Sequence, residues 1–146
     1  MCSAMKEKIE NLYNKDNNSA YKTLLDLEVI TTESNELYSY FDLLLKMLND
    51  ERTFIRVRGF RLICCLAKWD TENKINDNID IILKELEDEK GTSVRQCLEK
   101  LNQILIYKIE LTNIIASKLR NLELSKYKES MQSLIKNDLE HILEYL

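Results

Sequence analysis

Apolar residues along this chain recur at spacings of three and four, and short polar stretches interrupt them at intervals, which is the pattern of amphipathic helices rather than of strands. The stretch Asn14-Lys15-Asp16-Asn17-Asn18-Ser19 separates a first helix from a second that carries Tyr21, Leu24, Leu25, Leu27 and Ile30 and is closed by Thr31 to Asn35. A third helix is expected over Leu37 to Leu48, a fourth over Thr53 to Trp69 with Asp50 or Thr53 as its N-cap, and a fifth over Ile75 to Leu86. Asp88-Glu89-Lys90-Gly91-Thr92 is the sharpest break, with Gly91 suited to a left-handed C-cap and Thr92 or Ser93 to an N-cap. Helices near Val94 to Ile106 and Leu111 to Leu122, and a last one ending at Leu146, bring the expected number to about eight.

The pattern repeats. Tyr21, Val57, Val94 and Met131 are 36, 37 and 37 residues apart, and Leu24, Phe60, Cys97 and Leu134 follow each of them by three. The alternate helices carry a matching series in Phe41, Ile79 and Ile115, in Leu45, Leu83 and Leu119, and in Leu48, Leu86 and Leu122. Both arms of a helical hairpin therefore recur together, dividing a single domain over residues 1–146 into an N-terminal cap helix (1–18), three units (19–50, 51–90 and 91–124) and a C-terminal cap (125–146). The helix over Thr53 to Trp69 shows why such units must stack. Ile55, Val57, Phe60, Leu62, Ile63, Cys64, Leu66 and Ala67 cover more than half of its circumference, too wide a face to bury against one partner.

In two units a turn aspartate leads to a Val-Arg pair: Asp50 to Val57-Arg58, and Asp88 to Val94-Arg95. This resembles the HEAT repeat, over roughly Ser19 to Leu146, although the first and last units lack the arginine. The resemblance implies an all-α fold, a right-handed α-α superhelix (HEAT-like solenoid) of about four hairpins. It also implies a curved surface, formed by the second helices of successive hairpins, that binds a protein or peptide. In overall look the chain is similar to small bacterial HEAT-like proteins of unassigned role, some of which carry a label taken from the Suf iron–sulfur assembly system.

Composition agrees with helix: the 146 residues include no proline and two glycines, Gly59 and Gly91. The longest apolar run, Leu62 to Ala67, is too short to span a bilayer, and the N-terminus turns charged at once without a signal-type segment, so a cytoplasmic location is expected. A net charge of −4 disfavours nucleic acid as a partner unless a local patch supplies the attraction.

One such patch is visible. Arg56, Arg58, Arg61, Lys68 and Trp69 lie on or near one arc of the fourth helix, with Arg95 in the next unit. They are the candidate partner-binding residues, able to hold an acidic peptide or a phosphate. The alternative is structural, with Arg58 and Arg95 laddering against Asp50 and Asp88 and Trp69 sealing its hairpin. Cys65, four residues after Arg61, is either a reactive thiolate or a small residue on a crowded helix. Cys64 and Cys97 occupy apolar repeat positions, and together with Cys2 the cysteines lack the spacing of a metal site. No nucleophile pairs with the single histidine, His141, and no phosphate-cradling loop or HExxH motif occurs. The expectation is a non-catalytic adaptor or scaffold without metal or cofactor. A nucleic-acid-binding module on the arginine patch and an iron–sulfur or metal accessory protein are the alternatives.

Overall fold

The computed structural model describes residues 2–146, with side chains from Ala4 onward, so the side chain of Cys2 lies outside the described residues. The described residues form nine α-helices and four short 3-10 segments, with no strand among them. The helices are α1 (Cys2–Asn11), α2 (Asn17–Glu33), α3 (Phe41–Met47), α4 (Thr53–Cys65), α5 (Lys74–Asp77), α6 (Ile79–Leu83), α7 (Gly91–Tyr107), α8 (Thr112–Arg120) and α9 (Glu129–Leu143). No helix is long and apolar enough to cross a membrane.

The additional helix comes from the segment expected as one piece over Ile75 to Leu86, which is cut at Asn78 into α5, α6 and a 3-10 turn, Lys84–Glu87. At the cut the Asn78 side-chain NH2 donates to the Lys74 carbonyl at 2.8 Å, beside the backbone N–H of the same residue at 3.2 Å, the local side-chain bonding that makes asparagine a weak helix former. Likewise Leu37 to Leu48 begins as a 3-10 turn, Glu36–Tyr40, and Thr53 to Trp69 ends as one, Leu66–Trp69.

Packing follows sequence order. Helix α4 lies against α2, α3 and α7, and α7 lies against α4 and α9, so α2, α4, α7 and α9 form a row. Nine of the 13 residues of α4 are buried, as its wide apolar face requires. The proposed register holds in the middle of the row and slips at its ends. Val57, Val94, Phe60 and Cys97 are buried, whereas Tyr21 is 49% exposed and Leu134 42% exposed. In α2 the buried line is instead Ala20, Leu24, Leu27 and Thr31, and in α9 only Ile135 and Leu139 are buried, the helix packing on α7 and α8. The second-arm series holds better, with Phe41, Ile79, Ile115, Leu83, Leu119, Leu48 and Leu86 buried and Leu45 and Leu122 partly so.

Three expectations about turns are corrected. Gly91 has no positive φ and is no C-cap; it is the first residue of α7, and a Cβ there would lie 2.3 Å from Cγ of Met131 in α9. The left-handed residue is Asn73, at φ 54°. Asp50 does not cap the first turn of α4, whose N-cap is Arg52; its carboxylate instead accepts the Arg52 N–H two residues on, at 2.8 Å. Asp88 does the same for the Lys90 N–H at 2.9 Å, and Lys90, not Thr92 or Ser93, is the N-cap of α7.

Candidate functional site

Each of the six candidate residues meets a partner within the chain. The Arg58 guanidinium is buried and donates to the Leu12 carbonyl just past α1 (2.8 Å) and to the Asn17 side chain (3.2 Å). Arg61 forms a two-pronged pair with Glu28 of α2, both contacts at 2.9 Å, and reaches Gln96 of α7 at 3.2 Å. Lys68 donates to the Thr32 carbonyl and the Trp69 indole N–H to the Thr31 carbonyl, both at 2.7 Å. Together they close the carboxyl end of α2, where the last turn leaves carbonyls without helical donors. Trp69 is thus a seal.

The aspartate–arginine ladder takes a different form from the expected one. Asp50 pairs with Arg52, Asp88 with Arg56 (2.6 Å), and Arg95 with Asp138 of α9 (2.7 Å). Among the described residues Arg58 pairs with no acid. Among these polar links between hairpins, separations close to one repeat recur: 36 residues for Lys68 to Thr32, 38 for Trp69 to Thr31 and Lys108 to Asp70, and 39 for Tyr127 to Asp88 and Lys126 to Glu87.

Two buried polar knots escaped the sequence reading. In the first, Asp70 accepts from the Tyr38 hydroxyl (2.6 Å) and from the Lys74 and Ile75 N–H groups, and pairs with Lys108 at 3.1 Å. Burial pushes the Asp70 carboxyl up, but these donors outweigh it and hold it below the usual range. Burial and the bond to Asp70 push Tyr38 up to about 12. The legible signal was charge at the repeat spacing, since Asp70 and Lys108 are one period apart and opposite in sign.

In the second knot, Glu85 and Asp88 share Arg56, whose Nε lies 3.2 Å from Glu85 and whose terminal nitrogen lies 2.6 Å from Asp88. Burial first, then the neighbouring Asp88, push Glu85 up to about 8, so it is protonated at neutral pH while Asp88 keeps the charge. Tyr127 and Lys126 donate to the carbonyls of Asp88 and Glu87, tying the segment before α9 to the same turn.

Burial pushes the thiols of Cys64 and Cys97 far up, and the half-buried Cys65 is also raised, chiefly by burial. The nearby Arg61 lowers Cys65 less than desolvation raises it, contrary to the reactive reading. No group of three metal-ligating side chains forms among the described residues.

What remains open to a partner lies elsewhere. A groove of about 1030 Å³ runs between α7 and α9, walled by Leu105, Ile106, Ile142, Tyr145 and Leu146 at one end and by Gln96, Glu99, Asn102 and Asn137 nearer the other. It contains Arg95, already paired with Asp138, and His141, whose ring meets Tyr145 edge to face at 5.8 Å. Of the six candidates it contains Arg95 alone, and its walls are first-arm helices, not the second arms that the HEAT resemblance implied. Ile106 is 58% exposed and Tyr145 77% exposed, large side chains left in water at a concave site. Comparison with protein families, curated proteins and solved structures found no match to this chain.

Proposed function

We propose that this protein is a non-catalytic interaction module, an adaptor or scaffold built as a HEAT-like right-handed superhelix, which holds a segment of another protein in the groove between α7 and α9. The repeat part of this reading is supported by the row α2, α4, α7, α9 and by hydrogen bonds that recur at one repeat length. The groove carries the binding part: it is concave, mixes apolar and polar walls, and leaves Ile106 and Tyr145 exposed where a partner would cover them.

The nucleic-acid alternative draws less support, because Arg56, Arg58, Arg61 and Lys68 donate to carbonyls or carboxylates of the chain itself and offer no free patch to a phosphate. The metal alternative draws less still, since thiols pushed up by burial resist becoming the thiolates that metals take.

Capture from native lysate with wild-type, Ile106→Ser and Lys68→Ala baits tests the reading. The expected result is one protein retained by wild type and by Lys68→Ala, lost from Ile106→Ser, and bound again when purified. Identical capture by wild type and Ile106→Ser overturns it.

A further inference from the structure

We infer that the segment seated between α7 and α9 is an amphipathic helix that brings a lysine or arginine to Glu99 and apolar side chains to Ile106 and Tyr145. This rests on the groove being the binding site, and adds the chemistry of what it binds.

Backbone chemistry selects a helix. The walls are two α-helices whose N–H and C=O groups are taken up in their own ladders, so there is no sheet edge for an extended peptide to join. An extended segment against the apolar end would leave its own backbone groups without partners, whereas a helix satisfies them internally. The length agrees, for the groove follows α7 from Thr92 to Ile106, about 20 Å at 1.5 Å per residue, or roughly four helical turns.

Charge selects a basic helix. Arg95 is closed onto Asp138 at 2.7 Å, and Lys100, next to Glu99 in sequence, is turned to Glu28 on α2 at 3.4 Å. Glu99 itself is exposed and has no ion-pair partner among the described residues, with the neutral Gln96 and Asn102 one turn away on either side. An acidic segment would meet an uncompensated carboxylate there; a basic one completes it. Glu99 and Ile106 are two turns apart on α7, about 10.5 Å, so the partner's cation and its apolar residues lie on one face, about seven positions apart.

The test uses the full chain and two labelled helical peptides of alanine, leucine and one charged residue type. Both carry leucines over two turns of one face. The next two turns of that face carry lysines in one peptide and glutamates in the other. Binding is followed by fluorescence anisotropy at low ionic strength. Glu99 and Ile106 are exposed, and melting curves confirm that the variants fold. The lysine peptide should bind roughly tenfold more tightly than the glutamate peptide, Glu99→Lys should reverse that order, and Ile106→Ser should weaken both. If Ile106→Ser weakens both peptides but they bind alike, or Glu99→Lys leaves their ratio unchanged, the groove is a docking site and the basic-helix inference is overturned. If neither peptide binds, or Ile106→Ser affects neither, the groove reading falls with it. Self-association of the chain that Ile106→Ser abolishes would make a second copy the occupant and overturn the inference as well.

Discussion

Glu85 and Asp88 stand side by side under one guanidinium, and burial decides which of them keeps its proton. The consequence for stability has a definite sign. Glu85 rises from 4.5 to about 8 on folding, so the folded state binds the extra proton; the stabilisation this provides is fully present below about pH 4.5 and is lost as pH rises through about 8. Asp70 and Asp88 act oppositely, being held below their usual 3.8, so what they contribute is lost as pH falls through the acid range. Glu85→Gln keeps the neutral shape without the titration. Thermal melts from pH 5 to 9 should therefore fall less steeply for Glu85→Gln than for wild type, with the variant the more stable near pH 9; parallel curves would show that Glu85 is ionised throughout. None of this could be read from the run Glu85-Leu86-Glu87-Asp88-Glu89, which looks like a solvated acidic turn. The difference arises because Arg56 arrives from 32 residues away and Glu85 is turned inward while Glu87 stays in water with Lys118.

At the scale of elements, helix identity was legible and helix ends were not. Spacing of three and four places apolar residues on one face wherever the helix starts, but its end depends on which side chain reaches the last carbonyls. Those side chains came from one hairpin further along, as Lys68 and Trp69 do for α2. The glycines tell the same story. Gly91 looked like punctuation and Gly59 was given no role, yet a Cβ at either would meet another helix, the flexible Met131 side chain of α9 at Gly91 and α3 close to its backbone at Gly59. A Cβ on Gly59 would stand 2.8 Å from the Cβ of Met47 and 3.0 Å from the Leu44 carbonyl oxygen, atoms of α3 too near the backbone to swing aside. Alanine favours helix over glycine by about 1 kcal/mol, while overpacking a tight contact costs about 1–3 kcal/mol. Gly59→Ala should therefore lose up to about 2 kcal/mol in urea unfolding; a gain would mean that α3 and α4 separate freely.

The whole molecule depends on the row of helices continuing. Helix α4 buries most of its surface and packs most extensively against α7, so a chain ending after Gly91 lacks the wall that covers α4. That fragment should aggregate or melt far below the full chain in calorimetry, and a cooperative fragment of equal stability would show that the first half holds its own core. The candidate site belongs to this scale too. The arginine cluster was visible in sequence because its residues share one helix, and the tertiary structure turned those side chains inward onto α1, α2 and the turns that follow α3 and α6. The groove was invisible because the residues of its two walls are 31 or more positions apart in sequence, and because it depends on how α9 packs against α7.

Periodicity alone determined that the chain is helical, that its apolar positions recur about every 37 residues, and that a helix as apolar as α4 must lie inside, since each follows from local spacing and the cost of leaving apolar surface in water. Which charges are paired, which carboxyl is neutral and where apolar surface stays open were decided only by tertiary structure. Those properties belong to distances between hairpins, and an ion pair or a groove has no signature in either of its halves.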